Sequence, residues 1–169
     1  SNPTSGETLT LLLEAALSYD QSIRKNAEAQ IQKYVDQDLF SFLFALSSKI
    51  SNETENTPIR QISSTIIKSI LGESKNSLKW TQFSEEAKKQ IRDHILSTLA
   101  SKIVEVRKSA ALALATICKI DLPRGEYLDI FNVLSTTARN QNLYIQLSSL
   151  TALQYIYEEI SSGDIPNDT

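Results

Sequence analysis

The sequence predicts an all-α fold, a solenoid of stacked antiparallel helix pairs, on three observations. Glycine and proline number only four each in 169 residues, too few for the many turns of a sandwich or barrel. Apolar residues recur three and four apart in segment after segment, as one helix face requires, with no convincing period-two alternation. The same helix pattern then returns along the chain as an internal repeat.

Eight helices account for the pattern. The first carries Leu9, Leu12, Leu13, Ala16 and Leu17 on one face. Asp20 is placed to cap the second, with Ile23, Ala27, Ile31 and Tyr34 on one side. The third follows Asp38 and presents Leu39, Phe42, Leu43, Leu46 and Ile50. A polar loop leads to Pro58, which suits a first helical turn because its missing N–H has no intrahelical partner there. That fourth helix runs through Ile59, Ile62, Ile66, Ile67, Ile70 and Leu71 to Gly72, a residue suited to ending it.

The stretch Glu73–Gln82 is polar apart from Leu78 and Trp80 and is expected to be the longest connection. Ser84 caps the fifth helix, whose first turn holds Glu85 and Glu86 at the positive end of the dipole. The sixth spans about Val104 to Lys119, and Pro123 and Gly125 interrupt the chain before a seventh with Leu128, Phe131, Val133 and Leu134. The eighth runs from about Asn142 to Ile160.

The even-numbered helices align on Ile23-Arg24, Ile59-Arg60, Val106-Arg107 and Ile145-Gln146. Four residues on comes a small side chain each time: Ala27, Ser63, Ala110, Ser149. Eight on come Ile31, Ile67, Leu114 and Leu153, and eleven on Tyr34, Ile70, Ile117 and Ile156. These offsets share one helix face, and the small residue lets a neighbouring helix approach. The start points lie 36, 47 and 39 residues apart, close to HEAT and armadillo units of about 40. The expectation is one HEAT-type domain over residues 1–169, a right-handed superhelix with repeats at about 8–36, 38–72, 84–119 and 124–161. Leu143, Tyr144, Leu147, Leu150, Tyr155 and Tyr157 spread apolar surface around the last helix. Terminal repeats normally carry a polar outer face. The chain therefore reads as a piece of a longer solenoid, ending in the polar tail Ser161–Thr169.

Function classes narrow by exclusion. A net charge of −3 argues against nucleic acid, because neutralising phosphates needs a Lys/Arg excess. No segment approaches the roughly 20 apolar residues of a membrane span. The single cysteine, Cys118, lies beside an apolar run and reads as a core residue. The one histidine, His94, has no metal-ligand spacing or nucleophile beside it, and no phosphate loop or zinc motif occurs. The expectation is a protein-binding module with no cofactor or metal, and not an enzyme. In such a stack the second helix of each pair lines an extended concave surface. The polar flank there comprises Lys25, Glu28 and Gln32 on the second helix, Gln61, Ser64, Thr65 and Lys68 on the fourth, and Lys108 on the sixth.

The order of segments resembles the N-terminal region of importin-β (karyopherin-β) nuclear transport receptors. The resemblance is carried by Ala27-Glu28-Ala29-Gln30-Ile31, Asp38–Leu43, Ile59-Arg60 with Ile67-Lys68-Ser69-Ile70-Leu71, and Lys79-Trp80. It continues with Val106–Ala111, Ile117–Pro123 and Ser148–Ile160, covers roughly residues 9 to 160, and puts the family's N-terminal region at about 27–102. It departs from the family at Ser69, where an Asn is usual, at Tyr127-Leu128, where Trp-Pro is typical, and at Gln146. The resemblance implies a shuttling receptor of cytoplasm, nucleus and nuclear pore whose first repeats bind Ran-GTP chiefly through second helices, with Lys68 the best-matched contact. It also implies that nucleoporins and cargo or importin-α engage mainly later repeats, absent here. The rival reading is a HEAT scaffold subunit of a phosphatase or vesicle-coat complex, which predicts no nucleotide-dependent Ran binding.

Overall fold

Nine α-helices and one 3-10 turn make up the computed structural model, which describes residues 5–162. The end of the expected polar tail lies outside the described residues. The helices are α1 (Gly6–Ala16), α2 (Gln21–Gln37), α3 (Leu39–Ser51), α4 (Thr57–Gly72), α5 (Ser74–Thr81), α6 (Glu85–Thr98), α7 (Val104–Asp121), α8 (Ile130–Thr137) and α9 (Leu143–Ser161). Four pairs pack as α1/α2, α3/α4, α6/α7 and α8/α9. They stack through α3 on α6, α4 on α7 and α7 on α9. No strand occurs among the described residues, and the HEAT-type solenoid expected from the repeat is the fold observed.

Local chemistry sets the helix starts. Asp20 accepts hydrogen bonds from the backbone N–H groups of Ser22 and Ile23 at 2.8 and 3.3 Å. Ser84 and Asn142 do the same for Ala87 and Tyr144, satisfying donors that have no partner in a first turn. Asp38 is the sole residue between α2 and α3. It caps α3 through the Ser41 N–H and hydroxyl, bonds that hold its carboxyl below the usual carboxylate range.

The recurring arginine has a structural job. Arg24 donates to the Ser18 carbonyl (2.9 Å), Arg60 to that of Ile50 (2.8 Å) and Arg107 to that of Ser101 (2.8 Å). Each acceptor sits at or just past the C-terminal end of the first helix of the same pair. Carbonyls there lack intrahelical partners and carry the negative end of the dipole. The guanidinium thus ties the start of each second helix to the end of the first. Arg60 is fully buried, contacts both Glu53 oxygens at 3.2 Å and reaches Ser101 Oγ at 3.5 Å, so one latch touches the next. Among the described residues Gln146 makes no such bond.

Small residues at the close-packing position behave as the repeat requires. Ala27, Ser63, Ala110 and Ser149 are all buried. The two serines return their hydroxyls to their own helix, at Ile59 and Ile145, which makes a polar side chain tolerable in the core. The first position of the pattern is less uniform. Ile59 and Val106 are buried, but Ile23 is 47% exposed, because α2 packs on α1 and leaves its own start open. The buried positions of α2 are Ala27 and Val35, the latter not anticipated. On α9, Leu143, Leu147, Leu150 and Tyr157 are exposed, whereas Tyr155 is half-buried.

The segment expected as a connection is instead helix α5, and Trp80 on it is 0% exposed. The polar composition misled: an eight-residue helix needs only one anchoring side to dock. Trp80 Nε1 donates to Asp121 Oδ1 at 2.8 Å, and Arg92 approaches the other oxygen of that fully buried carboxylate at 3.3 Å. Arg92 also pairs with Glu85 and stacks 4.0 Å from the Tyr127 ring centroid. Burial pushes the Asp121 carboxyl up, against the opposing pull of Trp80, Lys88 and Arg92. Beside it, buried Lys88 bonds Glu126 at 2.7 Å. Trp80 and Phe83 then meet edge-on at 5.8 Å, and Phe83 meets Phe40 of α3 at 5.7 Å. The chain leaves α7 through a 3-10 turn, Leu122–Arg124, closed by Gly125 at φ +72°, where a left-handed backbone favours glycine. The seventh predicted helix is shorter than expected, leaving Leu128 before its start and exposed.

Replacing Trp80 with Ala is expected to cost about 3–5 kcal/mol, as for other large aromatics lost from a core. Trp80→Phe, which keeps most of the packing but strands Asp121 Oδ1, should cost about 1–3 kcal/mol. Urea unfolding followed by far-UV circular dichroism measures both.

Candidate protein-binding face

The eight residues expected to form a binding flank fall into five situations. Glu28 and Gln32 of α2 and Thr65 of α4 line one groove of about 330 Å³, floored by Ile31, Val35, Ile62 and Ile66. Lys25 and Lys68 are exposed on the same two helices without lining it. Gln61 is half-buried. Lys108 lies in a second groove of about 200 Å³ between α7 and α9, beside Arg107 and Leu147.

Ser64 is a correction. It is 2% exposed and its Oγ has no hydrogen-bond partner, so it belongs to the packed side of α4 and not to a contact surface. The flank was drawn from one buried stripe, but α4 packs on α3, α7, α5 and α1. Its buried arc is correspondingly wider.

The groove exists because α2 and α4 diverge, whereas α4, α7 and α9 pack closely in succession. Its lining has two carboxylates, Glu28 and Glu73, and no cation. The α7/α9 groove has two cations, Arg107 and Lys108, and no carboxylate. The second-helix side therefore offers sites of opposite sign. Glu73 and Asn76 of the first groove were missed because they lie in the stretch read as a connection. The helical spacing of Leu78 and Trp80 with Ser74 and Ser77 was too sparse a signal to reveal α5.

No group of three or more His, Cys, Asp or Glu among the described residues is placed to hold a metal ion, and no described helix is long and apolar enough to cross a membrane. Cys118 is fully buried, and burial pushes its thiol up to about 12, far from the thiolate a nucleophile needs. His94 is half-buried between α6 and α3. Its Nδ1 lies 3.0 Å from Ser47 Oγ and its ring 5.1 Å from that of Phe44.

Comparison with known proteins agrees with this architecture. Residues 27–101 match the family described as Importin-beta N-terminal domain. Importin subunit beta-1 of Saccharomyces cerevisiae is 30% identical over 164 residues, covering 92% of this chain and 19% of that protein. Importin subunit beta-1 of Arabidopsis thaliana is 26% identical over 159 residues, covering 90% and 18%. The chain is importin-β-like in sequence, as its segments implied. It is so in fold as well. Yeast importin-β (Kap95p) superposes with a TM-score of 0.85 at 28% identity, over 92% of this chain and 19% of that one. A second structure, in which Kap95p binding induces the switch loops of RanGDP to adopt the GTP-bound conformation, gives the same score over 93% and 20%. The chain thus spans about a fifth of the length of the relatives it matches.

Two outcomes follow from the geometry. Ser64→Ala removes an unpaired buried hydroxyl, so stability should stay level or rise by up to about 1 kcal/mol in urea unfolding. The second concerns His94, whose pKa is depressed below the ordinary 6.5 chiefly by burial, with Asp93 opposing. A depressed histidine favours the folded state while neutral. Its contribution is present above about pH 6.5 and lost as pH falls through the lowered value. Unfolding free energy should fall between pH 7.5 and 5.5, and His94→Gln should flatten that slope relative to the parent chain.

Proposed function

We propose that the chain is the N-terminal part of a nuclear import receptor and contributes to recognition of Ran-GTP through its second-helix side. The observation that supports this most directly is the similarity, over 93% of the chain, to Kap95p in a structure with Ran. The exposed polar flank of α2, α4 and α7 supplies the contacting groups, with Lys25, Lys68 and Lys108 as cations and Glu28, Gln32, Gln61 and Thr65 as polar partners. Nucleoporins and cargo or importin-α engage repeats beyond this stretch. The receptor moves between cytoplasm and nucleus and works at the pore.

Nucleotide selectivity has a physical basis in this reading. If Ran must hold its GTP-type switch conformation to fit, Ran-GDP binds more weakly by the free energy of remodelling its switch loops. A solenoid that wraps a partner with many repeats spreads the affinity, so this stretch alone binds weakly.

Biolayer interferometry with immobilised Ran, loaded with a non-hydrolysable GTP analogue or with GDP, tests the reading. Tighter binding to the GTP form is expected. Lys68→Glu and Lys108→Glu should each weaken it on the order of tenfold, mainly through the association rate at low salt. Equal binding to both forms, or none to either, would sink the proposal.

A further inference from the structure

The groove between α2 and α4 combines three features that a merely solvated helix flank lacks. Its floor is aliphatic, formed by half-buried Ile31, Ile62 and Ile66. Its lining includes the exposed carboxylates Glu28 and Glu73, which form no ion pair among the described residues, and no lysine or arginine. Its wall includes Asn76, only 2% exposed, whose amide is oriented by a 3.1 Å bond from Nδ2 to the Ile70 carbonyl. With Nδ2 committed there, Oδ1 is itself buried and accepts no hydrogen bond. An unsatisfied buried acceptor costs stability in the folded chain, and the cost is recovered when a donor arrives.

A complementary group needs an aliphatic stem for the isoleucines, a positive charge for the two carboxylates, and donors in more than one direction. Lysine has the stem and the charge, but concentrates its donors at one point. Arginine spreads five donors around a planar guanidinium and is desolvated more readily. The groove's 330 Å³ is at the small end of the range for ligand pockets, suited to one side chain and not to a peptide segment.

We propose that this groove is an arginine-receiving pocket, which takes a single arginine side chain presented by a partner protein. The stem lies along Ile31, Ile62 and Ile66, and the guanidinium faces Glu28 and Glu73, with an N–H directed to Asn76 Oδ1 after a small adjustment of the wall. The inference rests on the reading that the second-helix side is where a protein partner sits, but it names the pocket and the chemistry independently of Ran.

The test uses the 169-residue chain with its isoleucine δ1 methyl groups labelled for NMR. It is titrated with N-acetyl-arginine methylamide and with the citrulline, lysine and norleucine counterparts. Saturable shifts at the methyls of Ile31, Ile62 and Ile66 are expected with the arginine compound. The citrulline compound, equal in shape but uncharged, should bind about fivefold or more weakly. Glu28→Gln with Glu73→Gln should weaken the arginine compound about fivefold while leaving the urea midpoint unchanged.

Absence of shifts overturns the proposal, as does equal affinity for citrulline or norleucine, which would mark a plain apolar groove. Lysine binding as tightly as arginine overturns the guanidinium assignment. An arginine response unchanged by the double substitution overturns the role of the carboxylates. Ran binding measured in parallel separates the two claims. Ran-GTP binding without an arginine response leaves the functional reading standing and removes this one; an arginine response without Ran binding does the reverse.

Discussion

One buried carboxylate organises the middle of this molecule. Asp121, at the end of α7, holds the indole N–H of Trp80 from α5 and the guanidinium of Arg92 from α6. Three helices, α5 and both members of the third pair, therefore converge on one side chain that water does not reach. A charge in that position is tolerable only when its neighbours supply donors and opposite charge, and it penalises any arrangement that pulls them away. Through Trp80 and Phe83 the same cluster reaches Phe40 on α3, so it fixes the third pair against the second.

The arginine latches do for each of the first three pairs what Asp121 does for α5, α6 and α7. They occupy carbonyl oxygens at helix ends, where the dipole favours a cation and where a buried loop would otherwise leave acceptors unpaired. Arg60 and Arg107 converge on the Ser101 loop, one on its hydroxyl and one on its carbonyl. The second and third pairs are thereby joined by polar contacts of Ser101 Oγ with Arg60 (3.5 Å) and Glu53 (3.4 Å) as well as by apolar packing. The opening between α2 and α4 arises where no such convergence exists.

Much of the fold was legible because its information is periodic. A face repeated every three or four residues, and a pattern repeated at nearly forty, survives without knowledge of any contact. The recurring Arg24, Arg60 and Arg107 were visible as a pattern, but their carbonyl partners were not, since a hydrogen bond across a turn leaves no mark on helical periodicity. Helix α5 was illegible for the opposite reason. It is too short to show a period, and its docking rests on Trp80 and the polar Asn76 while Leu78 stays 63% exposed. Part of the candidate flank comes together in space: Glu28, Gln32 and Thr65 meet in one groove, because residues on neighbouring second helices can be matched by offset. Ser64 was misplaced because a serine five residues after Ile59 reads as solvent-facing on a helix with one neighbour, and α4 has several. Glu73 and Asn76 entered the groove only through α5.

The missing latch at Gln146 has a mechanical consequence. In a linear array, stability is a sum of terms within each unit and between neighbours, so the chain opens where that sum is smallest. The fourth pair lacks the arginine tie that closes the others. It is held to the stack by α9 on α7, with Arg107 4.9 Å from the Tyr144 ring centroid and Lys119 Nζ 3.6 Å from Glu159 as its cationic contacts. The fourth pair therefore relies on its packing against α7 where the other three pairs also have an arginine tie.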